Sequence, residues 1–454
     1  MSTLKVNKLR DTAGSADAIT LDPNGGAVLA GVTTVSTVKV GSGVTISSDG
    51  DVFTTGITTS STVIVGSGVT ISESGIEASG IGITCANING AQIAGRRNII
   101  INGAMNIAQR GTSHTPSNST STYQIDRFIM ENSNGGAYTV SQSSTAPDNK
   151  FKHSLKVDVT TADTSLSSAQ YCQFQQRVEG TNLTAVENFR QPMTFSFWVR
   201  SNKTGNYSFT LQQSDNSSRQ MSGQYTISAA DTWEKKIITV PADSSGAVSD
   251  DNGIGMTITW GLAYGSNYTS GSLSTNNAFK NYSAGDFGAG QGVNILDSTD
   301  NEWYLTGVQM EIGTQATPFE FRSFGEELLL CQRYYYNHAD GGTNYAMGGN
   351  NGETTISENA TMYQSSNMFC SIKFPTQMRA KPTLEIETGS NYYISFSNGA
   401  SKGNFTGSST SLNSSTSTNL GAINNSDTGS STGGHTAIWR TSNAAARLAF
   451  TSEL

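Results

Sequence analysis

Hydrophobic and polar residues alternate with a period of two through much of the region 123–322. In the segment PMTFSFWVRS, for example, Met193, Phe195 and Phe197 are separated by polar residues. Clusters of Ser, Asn, Asp and Gly separate one such segment from the next. This pattern is typical of antiparallel strands that bury one face and are joined by polar turns. It predicts a mainly β protein whose central part is a β-sandwich.

A different pattern begins at Ser323. Glu326 follows it three residues later, which is the spacing of a capping box, and no helix-breaking residue occurs before Asn337. Leucines and Cys331 place apolar side chains at helical spacing. We therefore predict one α-helix at 326–337 that connects two β domains.

The remainder of the chain, 338–454, returns to short β-like segments such as KPTLEIET and ARLAF. It predicts a C-terminal β-sandwich, with a Ser/Thr/Asn/Gly-rich tract at 401–434 forming an exposed loop or a loose hairpin. A second polar stretch, 265–292, contains several aromatic residues and is expected to be a long loop. Ordered loops of this kind frequently carry function.

Near the N-terminus the chain repeats itself. Residues 31–55 and 56–80 are identical at 15 of 25 aligned positions, and each unit offers two short alternating segments, at 37–40 and 44–47 in the first. These segments lack the large side chains needed to enclose a core, so each unit must stack on neighbours or on other chains. We predict an intertwined β-stalk of several identical chains at 31–95; a flexible linker is the alternative.

Composition narrows the classes of function. Only 35% of residues are hydrophobic and 14% are charged, and 27 Lys and Arg against 35 Asp and Glu give a formal net charge of −8. The acidic balance argues against a nucleic-acid-binding surface. No apolar run approaches the length of a membrane-spanning helix, so we expect no membrane insertion.

No catalytic or metal-binding motif stands out. The four histidines are scattered, the spacing of the four cysteines fits neither a zinc site nor a disulfide framework, and no nucleophile elbow or phosphate-binding loop occurs. Carboxylate pairs such as Glu353 with Glu358, or Asp297 with Asp300, are expected to be solvated loop charges. Calcium bound between loops, at 250–251 or 297–300, is a minor alternative. We expect no cofactor and no metal.

Aromatic side chains are the more informative candidates, because exposed Tyr and Trp flanked by amides are typical of sugar-binding faces. For each candidate the alternative is packing in the core or between chains. Trp198, Trp233 and Trp303 lie in or beside the alternating segments, and we expect them in the core. The candidate ligand-binding residues are Tyr264, Tyr268, Asn391, Tyr392, Tyr393, Trp439 and Arg440.

Several segments occur in the order found in a known family. Taken together they resemble tail fibre proteins of marine tailed bacteriophages, in particular podovirus-like phages of cyanobacteria. The start of the chain, MSTLKVNKLRDTAG, is similar to the attachment segments of such proteins. The matching motifs are NGAMNIAQRG before residue 112, YQIDRF at 123–128, QQRVEG at 175–180, FSFWV at 195–199, LTGVQMEIG at 305–313, ELLLCQRYY at 327–335 and MRAKPT at 378–383.

The resemblance implies a homotrimeric virion fibre that is assembled in the host cytoplasm. It implies a segment at 1–30 that attaches to tail or tail-adaptor proteins and a jelly-roll head at 96–325. The C-terminal sandwich is expected to face the host and to bind cell-surface polysaccharide through several weak sites. We expect no enzymatic activity; the alternatives are a polysaccharide depolymerase and a purely structural tail or capsid adaptor.

Overall fold

A computed structural model of the chain describes the backbone of short strands between residues 8 and 92 and most of the chain after residue 96. The continuously described ranges are 97–117, 121–187, 189–215, 219–341, 355–398, 400–426, 428 and 431–454. The chain divides into two compact units, 1–85 and 86–454.

The first unit contains three separate three-stranded antiparallel sheets. The two sequence repeats have the same pairing between their first two strands, since Val38 faces Ile46 and Val63 faces Ile71, 25 residues further on. Each repeat also has a third strand that the alternation did not predict. The multi-chain stalk stays a prediction. The strands are β1 (Lys8–Arg10), β2 (Asp17–Leu21), β3 (Ala27–Leu29), β4 (Val38–Val40), β5 (Val44–Ile46), β6 (Val52–Thr54), β7 (Thr62–Val65), β8 (Val69–Ser72) and β9 (Gly75–Ala78).

The second unit begins with a short hairpin, β10 (Asn87–Ile88) and β11 (Ala91–Gln92), and continues into a β-sandwich that we call the head. The strands of the head are β12 (Ser113–His114), β13 (Ser121–Ile125), β14 (Phe128–Ser133), β15 (Ala137–Ser143), β16 (Ser154–Thr161), β17 (Tyr171–Glu179), β18 (Met193–Ser201), β19 (Gly205–Gln213), β20 (Arg219–Ile227), β21 (Glu234–Val240), β22 (Ile254–Tyr264), β23 (Lys280–Asn281) and β24 (Glu302–Ile312).

The head is a jelly-roll β-sandwich of two antiparallel sheets, as the sequence predicted. Their strand orders are β12-β15-β16-β24-β18-β21 and β13-β14-β17-β22-β19-β20-β23. The alternating residues of β18 point into the core, where the ring of Phe197 lies 5.5 Å from that of Phe209 and 5.8 Å from that of Trp260 on the opposite sheet. Aromatic pairs of this kind add about 0.5–1.5 kcal/mol each beyond their buried area.

The three tryptophans expected in the core of the head have different environments. Trp303 is fully buried, whereas Trp198 and Trp233 are half-exposed. Trp198 occupies an outward position of β18 and packs over Gly307, where β24 has a bulge and the backbone φ is +62°. The core assignment is therefore wrong for Trp198, because period-two alternation puts it on the outer face. It is also wrong for Trp233, which lies just before β21 and packs beside Tyr304 with the ring centres 6.0 Å apart.

The polar stretch 265–292 is an ordered loop that contains a short helix, α1 (Ser266–Thr269), and two 3-10 turns. Asp286 fastens it by accepting a hydrogen bond from the backbone N–H of Ser272 (2.7 Å) and pairing with Lys280 (2.9 Å). The hydroxyl of Thr210 on β19 donates to the carbonyl oxygen of Phe287. The loop therefore covers part of the seven-stranded sheet.

The connecting helix, α2 (Phe324–Gln332), is shorter than predicted. The predicted cap at Ser323 is confirmed, because its hydroxyl accepts a hydrogen bond from the N–H of Glu326, and the helix begins at Phe324 rather than at 326. Its predicted end at residue 337 is wrong: Tyr335–Asp340 is a strand, β25, which pairs with the last strand of the chain. The bulky aromatic run 334–336 favours extended backbone, and burial of Tyr334 and Tyr335 between the sandwiches fixes it.

The C-terminal sandwich packs a seven-stranded sheet, β30-β29-β33-β26-β27-β32-β31, against a three-stranded sheet, β25-β34-β28. Its core includes Phe374 and Phe450, whose rings lie 4.8 Å apart. Its further strands are β26 (Thr355–Met362), β27 (Met368–Lys373), β28 (Thr383–Ile386), β29 (Tyr393–Ser397), β30 (Ala400–Phe405), β31 (Thr410–Leu412), β32 (Leu420–Asn425), β33 (Thr436–Thr441) and β34 (Arg447–Thr451).

Exposed apolar side chains lie near the point where the chain enters the head. The backbone N–H of Arg97 donates to the carboxylate of Glu320 at 3.0 Å, which holds the start of the head beside the segment leading into α2. In and after this segment, Phe321, Phe324 and Leu329 are 48%, 63% and 47% exposed. Such exposure of neighbouring large apolar groups is a common mark of contact surfaces.

Candidate functional site

Two of the aromatic candidates lie in the core of the C-terminal sandwich. Tyr393 is 0% exposed and Trp439 is 1% exposed, and their rings are 6.0 Å apart. The Tyr393 hydroxyl donates to the backbone carbonyl oxygens of Glu387 (2.7 Å) and Arg447 (2.8 Å). The expectation that these two rings form an exposed platform is wrong, because both project from the inward face of their strands.

The other C-terminal candidates lie nearer the surface. Asn391 is exposed in a turn with φ +57°, and its carbonyl oxygen accepts a hydrogen bond from the hydroxyl of Ser442. Tyr392 is half-buried against the core of the C-terminal sandwich. The guanidinium of Arg440 lies 5.3 Å from the ring centre of Phe396. Asn391 and Tyr392 thus lie in the turn that leads into β29, and Arg440 lies on the neighbouring strand β33, opposite Ile394.

The two candidates of the head form part of a small aromatic group. Tyr264 is 8% exposed and its hydroxyl donates to the side-chain oxygen of Gln173. Burial raises the pKa of Tyr264 well above its usual value. Tyr268 is half-exposed and its ring lies 5.6 Å from that of Tyr171. These residues stabilise the end of the 265–292 loop, and only Tyr268 and Tyr171 offer ring surface to solvent.

A cleft of about 480 Å³ lies between the head and the C-terminal sandwich, and none of the sequence candidates lines it. The head contributes residue 110 and the residues 114–117 and 121–124, and the C-terminal sandwich contributes Glu385, Arg447 and Thr451. We call this the inter-sandwich cleft. Its walls are rich in hydroxyl groups and combine one tyrosine, Tyr123, with ionisable side chains.

The last residues described hold the two sides of the cleft together. Glu453 forms an ion pair with Arg127, a buried residue of the head. The carbonyl oxygen of Leu454 accepts hydrogen bonds from the Tyr123 hydroxyl and from Arg177, both at 2.7 Å. Because these contacts join side chains of the head to the end of the C-terminal sandwich, the two walls are fixed relative to each other.

Arg110 forms the floor of the cleft on the head side. Its guanidinium stacks 3.5 Å from the ring centre of Tyr335 and lies 5.4 Å from that of Tyr123. Its Nη2 contacts Glu453 at 3.3 Å, and the side chain is 9% exposed. Its buried Nη1 has no hydrogen-bond acceptor among the described residues. Stacking on aromatic faces keeps the guanidinium plane in one orientation.

Arg447 faces Arg110 from the C-terminal sandwich. Its Nη1 donates to the backbone carbonyl oxygen of Arg110 at 3.1 Å, and its Nη2 donates to Glu385 at 2.8 Å and to Glu387 at 3.0 Å. Its Nε is buried and, within the described part of the chain, has no acceptor. The side chain is 20% exposed, so this arginine is anchored by carboxylates on one side while its remaining donor is unused.

His114 lines the cleft on the head side. Burial lowers the pKa of this imidazole, the hydrogen bond with the carbonyl oxygen of Gly111 opposes that effect, and the charges of Arg447 and Arg110 lower it further. The influence of Glu385 is smaller. The pKa of His114 therefore lies below its usual value, mainly because the ring is buried.

The described residues offer little for other chemistry. No group of three or more His, Cys, Asp and Glu side chains that could hold a metal ion occurs among them. Of the carboxylate pairs singled out in the sequence, Glu353 and the side chain of Glu358 lie outside the described residues. Asp297 pairs with Lys203 and accepts a hydrogen bond from Asn301. Within the described residues, no helix is long and apolar enough to cross a membrane.

The cleft residues were missed because of how their segments were interpreted. Arg110 and Tyr123 lie inside the motifs AQRG and YQIDRF, which were treated as a signature of the fold alone. The Arg of the first motif and the Tyr of the second could have been recognised from the sequence as candidate binding residues. No pattern in the sequence pointed to Arg447 or Glu385, which reach the cleft only through the packing of the two sandwiches.

Solved structures match parts of this chain at low identity. No protein-family model and no curated protein match the chain. The enzymatically active domain of tailspike protein 4 of bacteriophage CBA120 is 11% identical over 47% of this chain, with a TM-score of 0.25; the match spans only 21% of that domain's chain.

Sugar-binding proteins also occur among the solved structures that match. A putative sugar-binding protein from Bacteroides thetaiotaomicron is 13% identical over 48% of this chain and 100% of its own, with a TM-score of 0.25. The module TmCBM61 in complex with β-1,4-galactotriose is 9% identical over 48% of this chain and 99% of its own, with a TM-score of 0.22. At such low similarity, neither a binding residue nor an activity is carried over from these proteins.

Proposed function

We propose that the chain is a receptor-binding tail fibre of a bacteriophage, which adsorbs to host-surface glycans through the inter-sandwich cleft. The observation that carries this proposal is the cleft itself: a preformed, polar concavity of about 480 Å³ between two rigid sandwiches. Hydroxyl, amide and guanidinium groups around Tyr123 match the hydroxyls and apolar ring faces of a saccharide. The order of the phage-fibre motifs in the sequence supports the same function.

The active fibre is a homotrimer in this proposal. Two observations support that part: the N-terminal repeats are too poor in large residues to fold alone, and the surface of Phe321, Phe324 and Leu329 is exposed near the start of the head. Residues 1–30 attach the fibre to tail proteins of the virion. Three clefts per fibre bind weakly one by one and strongly together. The fibre binds its glycan without cleaving it.

The test uses the purified full-length chain with cells and extracted polysaccharides from a panel of marine cyanobacteria. Bound protein and soluble sugar fragments are measured in the same incubation. The variant Thr122→Trp fills the cleft from an exposed strand position, and Thr436→Trp places the same ring at an exposed strand position away from the cleft.

We expect retention of the wild type and of Thr436→Trp, at least tenfold weaker retention of Thr122→Trp, and no released fragments. Fragment release would instead identify a depolymerase. A trimer that binds none of the panel would favour a structural adaptor. Deleting 338–454 is a poorer test, because it would leave the buried Arg127 of the head without Glu453, its ion-pair partner, and β25 without β34.

A further inference from the structure

We infer that the glycan-binding surface continues from the inter-sandwich cleft across the outer face of the head to a pair of tyrosines, Tyr171 and Tyr268, and so takes an extended segment of a linear saccharide. This inference rests on the proposed glycan binding. It adds the form of the ligand, which is a chain of several sugars rather than a single terminal sugar. It concerns the face of the seven-stranded sheet of the head that points away from the core.

Strand register places a row of polar side chains beside the cleft. Ser121 lines the cleft and faces Glu131 on β14, which in turn faces Gln173 on β17. Directly opposed residues of antiparallel strands project from the same face of a sheet. This face is the outer one, because Met130 and Phe174, which alternate with these residues along their strands, belong to the core. The row therefore leads from the cleft onto the outer surface of the head.

The next row on the same face ends in two aromatic rings. Tyr171 lies two residues from Gln173 along β17, and the ring of Tyr268 stands edge-on to it with the centres 5.6 Å apart. Two strand spacings of about 4.8 Å across the sheet and two residues of about 3.4 Å along β17 place the backbone of Tyr171 about 12 Å from that of Ser121. A single sugar in the cleft cannot span this distance, whereas a saccharide chain can.

The tyrosine pair has the properties of a sugar-stacking platform. Both rings are half-exposed, and neither hydroxyl forms a hydrogen bond with another residue in the part of the chain that the structure describes. A tyrosine ring offers an apolar face to a sugar ring and a hydroxyl to the sugar hydroxyls. Tyr264 already fastens the end of the 265–292 loop from a buried position, so the exposed surface of Tyr171 and Tyr268 is not needed for that purpose.

The row between the cleft and the tyrosines offers hydrogen-bonding groups whose charges are already paired. The carboxylate of Glu131 contacts the guanidinium of Arg177 at 2.5 Å and accepts a hydrogen bond from the amide of Gln173 at 3.0 Å. The hydroxyl of Ser121 lies 3.5 Å from the same carboxylate. Such a surface suits the hydroxyl groups of a sugar, which carry no charge and can both donate and accept.

The platform is held in place before a ligand binds. The backbone N–H of Asn267 donates to the carbonyl oxygen of Ser168 at 2.9 Å, and the N–H of Gly288 donates to that of Tyr268 at 2.8 Å. The ring of Tyr264 packs beside that of Tyr268 with the centres 5.8 Å apart. Because the segment is ordered already, little conformational entropy is lost when a saccharide stacks on it.

The experiment measures how affinity depends on the length of the saccharide. The full-length fibre is presented with polysaccharides extracted from the strain panel, and each polymer that it retains is cut by partial acid hydrolysis into a ladder from disaccharide to octasaccharide. Titration calorimetry then gives the affinity for each soluble fragment. We expect the octasaccharide to bind the wild type at least tenfold more tightly than the disaccharide does.

Variants test whether the tyrosine pair causes this length dependence. Tyr268→Ala and Tyr171→Ala should each reduce the advantage of the octasaccharide to threefold or less while the affinity for the disaccharide stays unchanged. Tyr268→Phe keeps the ring and should keep most of the advantage. Tyr363→Ala is the matched control, because it removes a 67% exposed ring elsewhere and should change neither affinity. Thr122→Trp, which fills the cleft, should weaken binding of both fragments. Thermal unfolding of each variant separates loss of binding from loss of fold.

The failure of this inference and that of the proposed function are distinguishable. Equal affinities for short and long fragments, or an octasaccharide advantage that persists in both Tyr268→Ala and Tyr171→Ala, overturns the inference and leaves the proposed function intact. A well-folded fibre that retains none of the polysaccharides overturns both.

Discussion

Replacing Glu179 by Gln tests how the head and the C-terminal sandwich are held together. Glu179 ends β17, and its side chain is 0% exposed. It accepts hydrogen bonds from Nε of Arg333 at 2.9 Å, from Nη2 of Arg333 at 2.5 Å and from the hydroxyl of Tyr334 at 2.5 Å. All of these donors lie just after α2, so one carboxylate of the head binds the start of the C-terminal sandwich.

The expected cost is about 3 kcal/mol. Removing one partner of a buried ion pair costs about 3–5 kcal/mol because the other charge remains desolvated. Arg333 is 30% exposed and can recover some hydration, and Gln keeps one acceptor oxygen, so the lower end of that range applies. The control is Glu302→Gln. Glu302 likewise accepts from a basic residue, Lys156, and from a tyrosine, but it is 31% exposed, so its loss should cost at most about 1 kcal/mol.

The cost should also depend on pH. Burial raises the pKa of Glu179, but the hydrogen bonds from Arg333 and Tyr334 outweigh it, and the pKa lies below its usual value. A carboxylate with a depressed pKa in the folded state stabilises the protein at pH values above the unfolded-state pKa of about 4.3, and this contribution is lost as pH falls through the folded-state value. The difference between wild type and Glu179→Gln should therefore be full at pH 7 and shrink below about pH 4.

Urea unfolding of the full chain, followed by limited proteolysis at 338–454, measures this prediction. We expect the C-terminal sandwich of Glu179→Gln to become susceptible to protease at lower urea than that of Glu302→Gln. Equal stability of the two variants at pH 7, or a difference that grows on acidification, would refute the reasoning about this buried contact.

Three further predictions concern the head, the C-terminal core and the oligomer. Arg219 binds the buried carboxylate of Asp243 through two nitrogens, and this contact holds the pKa of Asp243 low against the effect of burial. In urea unfolding, Asp243→Asn should therefore lower the free energy of unfolding by about 2–3 kcal/mol at pH 7 and by less at pH 3. An equal cost at both pH values would contradict this prediction. Trp439→Ala should lower the free energy of unfolding by about 3–5 kcal/mol without weakening glycan binding per folded molecule. The ring of Tyr363 is 67% exposed, so Tyr363→Ala should change the free energy of unfolding by less than about 0.5 kcal/mol. Light scattering should give three times the chain mass for the wild type and for Tyr363→Ala. It should give a lower mass for Phe324→Ser, which alters the exposed apolar surface near the start of the head. An unchanged mass of Phe324→Ser would show that this surface is not part of the trimer contact.

Local chemistry was enough to predict the strands and the start of the helix. Alternation in β18 identified its inward residues because a pleated strand places successive side chains on opposite faces. Ser323 marked the start of α2 because a side-chain oxygen at that position satisfies a free backbone N–H, here that of Glu326. The repeats at 31–80 likewise predicted equivalent pairing in two small sheets, since identical short segments have identical local preferences.

What the sequence by itself determined is therefore the mainly β fold and the approximate position of its elements. It did not determine which side of an element would be covered, and for that reason Tyr393 and Trp439 were expected at the surface while Trp198 was expected in the core. Only the tertiary structure decided the end of α2, where pairing with β34 imposed a strand, and the position of the cleft. Arg110 and Arg447 lie 337 residues apart. No local preference couples residues so distant, and only the packing of the two sandwiches against each other brings them together.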